Sequence, residues 1–563
     1  MAETKICQNC ENSFEIADDD FAFYEKMQVP APKWCRDCRQ QRRYAYRNER
    51  TLYRRECDLC KKSTVTIYSP NKPYKVYCVS CWWGDAWDPA AYGRDFDFSR
   101  PFFEQFSALQ HEVPRMALLT KNSINSEYTN HCGENKNAYI CFATFTSENV
   151  SYCNWTMNSR DCCDCGWIYE KGERLYECID SQYSYQSQYC LLLNNSSNCF
   201  YCYDVSGSSD CFLSCNIRGG HYIFKNQQLA KEEYQEKIKQ YDLSKYSVRV
   251  QLFNEFKEMM SKDAVHKYMQ GERTISSLGS LLFNCKNVVE GYECDKCEDS
   301  KYIYGTLGIS DSMDIYHAGI KSEGCYELHG CVRAYNLQFC HLCYDNSHLQ
   351  YCDSCQNSQN LFGCVSVKKG EYMIFNKRYS KEEYEALKAK IIEHMKSTGE
   401  YGEYFPPSIA PVYYNETRGA IYMPLSKEEV LARGWQWEEK IPGVFGKGTV
   451  TMQDVPDSIT DITDEYISNI FTCETCTKNF NIIPDELVFY KREKVPLPRK
   501  CADCREKVRI SLRLPRKLYT RSCSCVQEGH DHAGKCVNQF ESAYAPDRTE
   551  KVYCEQCYQK EVL

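Results

Sequence analysis

Residues 197–224 read SNCFYCYDVSGSSDCFLSCNIRGGHYIF, and this stretch decides the fold. Clusters of aromatic residues and cysteine are centred near Phe200, Phe212 and Tyr222, and Asp, Ser, Asn and Gly separate them. Aromatic residues favour strands, and small polar residues favour turns. The stretch therefore predicts short strands joined by tight turns.

The same pattern extends from Asn122 to Phe375 on either side of a helical break, with clusters at steps of roughly 10 to 13 residues. A strand about every 12 residues without a long crossover is typical of a parallel β-helix. We expect two such steps to make one coil of 20-odd residues. The sequence therefore predicts a mainly β fold with a central parallel β-helix-like solenoid in two halves.

This central region contains 22 cysteines, which we interpret as small interior hydrophobes stacked in a ladder. The alternative is additional metal, because several pairs have Cys-x-x-Cys spacing. These pairs are Cys199 and Cys202, Cys294 and Cys297, Cys340 and Cys343, and Cys352 and Cys355. Residues i and i+3 of an extended strand point to opposite faces, which favours the ladder unless a corner intervenes.

Both solenoid halves end in a YIF or YMIF run followed by KEEY, and the second copy lies 150 residues after the first. Ser380 and Glu383 have the spacing of a capping box, which predicts a helix start. We expect helical segments at 227–270 and 380–397, each covering an open solenoid end. One further short helix is predicted at 426–433, within a Pro-, Gly- and Tyr-rich linker.

Four Cys-x-x-Cys knuckles lie between Cys7 and Cys81, and the same layout returns near the C-terminus with equal spacings between corresponding knuckles. Zinc binds four thiolates in a tetrahedron with bonds of about 2.3 Å, and two paired knuckles supply them. Disulfides or reduced buried cysteines are the alternative, but neither explains knuckle spacing that occurs twice. We therefore predict about four zinc ions. The ligand sets are Cys7, Cys10, Cys35 and Cys38; Cys57, Cys60, Cys78 and Cys81; Cys473, Cys476, Cys501 and Cys504; and Cys523, Cys536, Cys554 and Cys557.

The fourth set contains an insertion of ten residues, so that Cys536 is the positional match of Cys60. The insertion carries Cys525, His530 and His532. Thiolate and imidazole both suit zinc, so these residues could replace a ligand or hold a second ion. The alternative is an exposed loop.

Residues 7–39 and 473–505 resemble a zinc-ribbon, treble-clef-like family with the pattern Cys-x-x-Cys, Phe, Phe-Tyr, Pro, Cys-x-x-Cys-Arg. The whole chain resembles cysteine-rich zinc-ribbon proteins of candidate-phyla bacteria, some of which carry a CaiB/BaiF CoA-transferase label. The resemblance implies a double zinc-ribbon module at each end and adds no activity. No residue pattern in this sequence supports the transferase label.

Arginines follow the second and sixth knuckles in two basic windows, each with a net charge of +7. The first window lacks Gly and Pro and predicts one helix with its arginines in a stripe, whereas Pro515 should end the second helix early. Guanidinium groups bind phosphate and nearby tyrosines stack on bases, so RNA is the favoured ligand. The alternatives are a solvated helix face, or arginines that neutralise zinc thiolates. The candidate residues are Arg39, Arg42, Arg43, Arg47, Arg50, Arg54, Arg505, Arg509, Arg513 and Arg516.

Seven segments follow from these patterns. They are an N-terminal double zinc-ribbon module (1–85), an aromatic linker and helix (86–121), the first solenoid half (122–226), a helical insert (227–278), the second solenoid half (279–376), a capping helix with linker (377–465) and a C-terminal double zinc-ribbon module (466–563).

The sequence excludes several classes of function. No segment has the roughly 20 apolar residues of a membrane helix, no apolar signal segment opens the chain, and we expect a cytoplasmic protein. Phosphate-loop, nucleophile-elbow and zinc-protease patterns are absent, so we expect no catalysis. We predict a zinc-binding protein that binds RNA or a ribonucleoprotein. The alternatives are a protein-interaction scaffold with structural zinc and, third, a β-helix hydrolase.

Overall fold

The computed structural model divides the chain into two compact units, each built from two separate segments. The first unit comprises Met1–Leu118 and Met269–Ile441, and the second comprises Leu119–Tyr268 and Pro442–Leu563. Each unit therefore combines one terminal module with the solenoid half that is more distant along the chain. The structure describes residues 2–316, 322–331, 334–335, 338–343 and 346–563, with the backbone alone at 331, 334, 335, 342 and 343.

The N-terminal module consists of two hairpins, each followed by further short elements. Three aspartates in the first turn of the helix that follows the first hairpin complement its dipole. The elements are β1 (Glu3–Ile6), β2 (Ser13–Ile16), α1 (Asp18–Lys26), α2 (Arg36–Tyr44), β3 (Tyr53–Glu56), β4 (Ser63–Thr66), β5 (Val76–Tyr77) and α3 (Val79–Trp83), followed by α4 (Phe102–Glu112) and β6 (Arg115–Met116).

The first solenoid half, in the second unit, is a stack of short parallel strands that ends in one antiparallel pair. Its strands β7 to β21 are Thr120–Lys121, Cys132–Gly133, Lys136–Tyr139, Phe142–Phe145, Glu148–Ser151, Asn154–Met157, Gly166–Glu170, Ile179–Gln182, Leu191–Asn194, Ser197–Phe200, Tyr203–Ser206, Ser209–Phe212, Cys215–Arg218, His221–Phe224 and Gln227–Gln228. Helices α5 (Lys231–Ile238) and α6 (Tyr246–Lys262) and strand β22 (Val265–Lys267) follow.

The second solenoid half, in the first unit, has the same construction and also ends in an antiparallel pair. Its strands β23 to β36 are Gly271–Glu272, Leu278–Phe283, Lys286–Asp295, Glu298–Lys301, Tyr304–Leu307, Ile309–Ser310, Ser322–Glu323, His329–Cys331, Ala334–Tyr335, His341–Cys343, Asn346–Gln350, Gln359–Phe362, Glu371–Ile374 and Lys377–Arg378. Helices α7 (Lys381–Ser397), α8 (Arg418–Tyr422) and α9 (Lys427–Ala432) follow. The predicted mainly β solenoid is confirmed.

The coils of the solenoid are shorter than the sequence suggests. Ser197 pairs with Ser209 and Cys199 with Cys211 in parallel register, and most neighbouring strands repeat this offset. The coil between Gly166 and Ile179 is one residue longer. The predicted coil of 20-odd residues is therefore wrong. A single step of the aromatic pattern closes a coil, because the chain turns much more often than the strand clusters suggest.

The frequent turning comes from residues in the left-handed backbone region. From Asn122 to Trp167 every third residue has a positive φ, between 48° and 58°. These residues include Ile140, Tyr152 and Trp155, which are types that rarely adopt this conformation. Each one makes a corner, so a coil has four short sides.

The residue after a corner points into the coil, and many of these residues are small. Cys199 follows the corner residue Asn198, Cys202 follows Tyr201, and both thiols are fully buried. Residues i and i+3 of such a pair, which were expected to face opposite sides of a strand, therefore both face the interior, because a corner lies between them. The predicted interior ladder is nevertheless confirmed, because ten buried cysteines from Cys132 to Cys211 belong to one apolar core cluster. The side chain of Cys343 lies outside the described residues.

Inward serines supply hydrogen bonds between successive coils. The Ser196 hydroxyl accepts from the backbone N–H of Ser208 at 3.1 Å, and the Ser208 hydroxyl accepts from that of Gly220 at 3.1 Å. The Ser208 hydroxyl also donates to the carbonyl of Ser206 at 2.8 Å. Small polar groups therefore satisfy backbone groups that the frequent corners remove from the strand ladders.

The helices that directly follow the two halves, α5 and α7, place equivalent tyrosines near equivalent solenoid rings, although only α7 has a side-chain cap. Ser380 and Glu383 form the predicted capping box, with reciprocal backbone bonds of 2.9 and 3.2 Å. In the first unit the ring of Tyr384 lies 5.7 Å from that of Tyr372. In the second unit the equivalent ring of Tyr234 lies 5.8 Å from that of Tyr222. The 150-residue sequence recurrence thus has a structural counterpart.

The C-terminal module repeats the element order of the N-terminal one. This agreement of eight successive elements matches the recurrence of the cysteine spacing in the two modules. Its elements are β37 (Phe471–Thr472), β38 (Asn479–Phe480), α10 (Pro484–Glu493), α11 (Ala502–Ser511), β39 (Tyr519–Ser522), β40 (Gln539–Ser542), β41 (Lys551–Tyr553) and α12 (Glu555–Val562). In the described part of the chain, no helix is both long enough and apolar enough for a bilayer crossing.

The corner residues provide a test of the solenoid. Glu134 is an exposed corner with a φ of 58°. We expect Glu134→Val to lower the free energy of unfolding by about 1–2 kcal/mol, because a β-branched side chain is strained there. Glu134→Gly, which removes the Cβ, is the matched control and should be at least neutral. Equal urea midpoints for the two variants would contradict this backbone assignment.

Candidate metal centres

Each predicted zinc site is built from a hairpin and a helix start. Cys7 and Cys10 lie in the turn of the first hairpin, Cys35 is the N-cap of α2, and Cys38 lies in its first turn. Their four sulfurs all lie within 4.8 Å of one another. The partial positive charge of a helix N-terminus favours thiolates at these positions.

The other three quartets have the same construction, with an N-cap cysteine on α3, α11 and α12. A zinc ion about 2.3 Å from each of four sulfurs sets the sulfurs about 3.8 Å apart. The measured Sγ–Sγ separations across the knuckles agree with this edge length, and all described cysteines are free thiols. The separations are 3.8 Å for Cys10–Cys35, 3.9 Å for Cys60–Cys78, 3.6 Å for Cys476–Cys501 and 4.0 Å for Cys536–Cys554.

Backbone N–H groups donate to one sulfur in each of the first two sites. The N–H of Cys35 donates to Cys7 Sγ at 3.2 Å, and the N–H of Cys78 donates to Cys57 Sγ at 3.3 Å. Burial alone would raise the pKa of Cys57, but such N–H donors lower it to about 7. The hydrogen bond with Cys78 and burial raise the pKa of Cys81 to about 12. A bound cation would remove this penalty for further ionisation.

The fourth quartet contains Cys523, Cys536, Cys554 and Cys557, as the sequence alignment of the two modules predicts. The ten-residue insertion brings Cys525, His530 and His532 to Cys557, with all four ligand atoms within 4.8 Å of one another. Among the described residues, five groups could therefore hold a metal ion, and none of them lies in the solenoid.

The arginine stripe differs from the prediction. Helix α2 ends at Tyr44, so Arg47, Arg50 and Arg54 do not continue it, and Arg54 lies exposed in strand β3. The prediction of one continuous helix to Arg54 is wrong because the chain turns to begin the second hairpin. Helix α11 ends at Ser511, before Pro515, as expected.

In the first unit the arginines of α2 pair with solenoid carboxylates. Arg39 Nε lies 2.7 Å from a carboxylate oxygen of Asp314, and Arg42 lies 2.7 Å from one of Glu327. Arg43 reaches both carboxylates at 3.3 and 3.2 Å, and its side chain is 0% exposed. Arg42 also pairs with Glu403 at 2.8 Å. These charges are buried inside the unit.

In the second unit the equivalent residues form the equivalent cluster. Arg505 and Arg509 lie 2.9 and 3.0 Å from Asp164, and Arg509 lies 3.1 Å from Glu177. Asp164 and Glu177 precede Asp314 and Glu327 by 150 residues, and all four are corner residues with positive φ. Arg513 pairs with Asp180 at 2.8 Å. Carboxylates at solenoid corners thus pair with arginines of the module in each unit.

Burial has the same electrostatic effect in both clusters. It raises the pKa of Glu327, although Arg42 and Arg43 oppose the shift. It raises the pKa of Glu177 to about 7 against the opposing effect of Arg509. Loss of a guanidinium partner would therefore leave a carboxylate in a site that disfavours its charge.

The remaining predicted arginines differ from one another in burial and in their partners. Arg47 is buried and pairs with Glu49, which also pairs with Arg418. Arg50 and Arg516 are half-buried, and Arg54 is exposed. At least seven of the ten candidates therefore engage carboxylates of their own unit, and RNA binding by this set stays a prediction. Sequence reasoning missed the carboxylates, although their 150-residue recurrence was a usable signal.

No protein-family model, curated protein or solved structure matches the chain. The cysteine groups near both termini could hold metal ions, which is consistent with zinc-binding modules.

Asp164 offers a test of the buried clusters. We expect Asp164→Asn to lower the local free energy of unfolding by about 3–5 kcal/mol, because Arg505 and Arg509 would lose a buried partner. The matched control is Glu148→Gln, which removes the exposed pair with Lys136 on the same solenoid half and should cost about 1 kcal/mol or less. Hydrogen exchange of residues 136–194 measures both values. Similar losses of free energy of unfolding in the two variants would show that the buried ion pairs stabilise the protein no more than an exposed pair does.

Metal removal tests the quartets. We expect a chelator under reducing conditions to abolish the amide protection of α2, α3, α11 and α12, because four thiols at close range repel once ionised. Strands of the solenoid interior should keep their protection, since their cysteines pack as apolar side chains. Unchanged exchange of the four helices after verified metal removal would contradict a metal-dependent fold.

Proposed function

We propose that the protein is a non-catalytic scaffold. In it, structural zinc stabilises each terminal module in the conformation that packs against the solenoid half of the same unit. The observation that carries this proposal is the duplicated arginine–carboxylate cluster. In both units the second cysteine knuckle begins the helix that carries the paired arginines. Zinc binding and module attachment are therefore built on the same helix turn.

The ligand sets favour structural metal over catalysis. Catalytic zinc sites keep an open position for water or substrate, whereas structural sites have four protein ligands. Each of the four thiol quartets offers four ligands at tetrahedral separations, which leaves no open position.

The outer solenoid surface supports a role in protein binding. Asn137 donates to Asn149 at 2.9 Å, and Asn149 donates to Asp161 at 3.0 Å, so corner residues on the outer face of the solenoid form a regular row. Solenoids commonly use such extended, rigid surfaces to dock other proteins. A protein partner for these outer rows is therefore the class that we favour.

RNA binding is the second candidate. It rests on the net charge of +7 in each basic window, but Arg39, Arg43, Arg505 and Arg509 already meet carboxylates. An RNA site would therefore depend on the more exposed basic residues, such as Arg54.

The two candidates predict different behaviour of the purified protein. We expect at least four zinc equivalents, a ratio of absorbance at 260 and 280 nm typical of protein alone, and no salt-dependent affinity for single-stranded RNA. Each phosphate contact would add a salt dependence of about 0.7 in the logarithmic slope for a single strand. Salt-sensitive RNA binding that Arg54→Glu weakens would favour the RNA-binding function, whereas Glu148→Gln serves as a control at an exposed ion pair.

A further inference from the structure

The insertion in the fourth cysteine knuckle creates a second ligand set beside the fourth quartet. Cys557 belongs to two groups of ligand residues. One contains Cys523, Cys536 and Cys554, and the other contains Cys525, His530 and His532. In each group all ligand atoms lie within 4.8 Å of one another. The N-terminal counterpart of this region has no insertion and only one ligand set.

We propose that Cys557 bridges two zinc ions, so that the C-terminal module holds a dinuclear cluster and the chain binds five ions. The first ion takes Cys523, Cys536, Cys554 and the bridging sulfur. The second takes Cys525, His530, His532 and the same sulfur. Both ions then have four ligands, which is the coordination that zinc prefers in structural sites.

The histidine contacts fit this assignment. His532 Nδ1 lies 2.8 Å from the carbonyl oxygen of Gly534, which fixes that nitrogen as the donor. His532 Nε2 is buried and has no hydrogen-bond partner among the described residues, which leaves its lone pair for a metal. An outer hydrogen bond of this kind is usual for a metal-binding histidine.

The second histidine is oriented in the opposite sense. His530 Nδ1 lies 3.1 Å from Cys525 Sγ, on the side of the ligand set. Its Nε2 faces the carboxylate of Glu561 at 3.5 Å, and a carboxylate commonly accepts the outer N–H of a zinc-binding imidazole. The Cys536 N–H donates to the Cys525 carbonyl at 2.9 Å, which closes the inserted loop onto the quartet.

Charge also favours two ions over one. A single divalent ion with four thiolates carries a net charge of −2, in a region where all five cysteines are buried. A second divalent ion and ionisation of Cys525 change this to −1, since neutral imidazoles add no charge. A simple exchange of Cys525 for Cys536 in one site would instead leave both histidines without a role.

Metal analysis of the reduced full chain tests the cluster. We expect five zinc equivalents in the native protein and four in the His530→Ala/His532→Ala variant. Cys557→Ser should lose two ions, whereas Cys81→Ser at the equivalent N-terminal position should lose one. Four equivalents in the native protein, or equal losses from the two serine variants, would overturn the bridge and leave the proposed scaffold function intact.

A second measurement detects the shared sulfur directly. We expect the cobalt(II)-loaded protein to show magnetic coupling between two of its ions, because a shared sulfur joins them, and the histidine variant to lose this signal. Five isolated cobalt ions without coupling would overturn the shared ligand.

Discussion

The left-handed residue at every third position is the constraint on which the rest of this structure depends. It turns the chain four times within each short coil, and it places the following residue inside a narrow interior. Cysteines and serines stack there together with aliphatic side chains such as Ile168, Leu175 and Leu193. The corner residue itself points outward, so the same backbone constraint both builds the interior and presents Asp164, Glu177, Asp314 and Glu327 on the surface of the coil.

Those corner carboxylates determine how the arginines are used. A guanidinium that leaves water loses its hydration, and only close carboxylates offset that loss. Arg43 and Arg509 are almost completely buried, yet each has two carboxylates from its own solenoid half. Equivalent residues reach the same arrangement in the two units.

Metal and charge act on the same short segment of chain. In each module, two cysteines close a quartet at the start of a helix, and the arginines leave from the next turns of that helix. An ion in the quartet would fix the helix start and thereby the positions from which the arginines reach the solenoid. The inserted loop near Cys557 adds three possible ligands, and the quartet of Cys523, Cys536, Cys554 and Cys557 stays complete.

The sequence by itself determined what local spacing can encode: cysteine quartets, the duplication of the modules, a mainly β solenoid, the capping box at Ser380 and the end of α11 before Pro515. It did not determine the coil length, because Ile140, Tyr152 and Trp155 give no local sign of a left-handed conformation. It also did not determine which groups the arginines contact, since Arg39 and its partner Asp314 are 275 residues apart. Only the tertiary structure decided these points, because strained corners and buried charges are stable only when neighbouring coils and a distant module supply the compensating contacts.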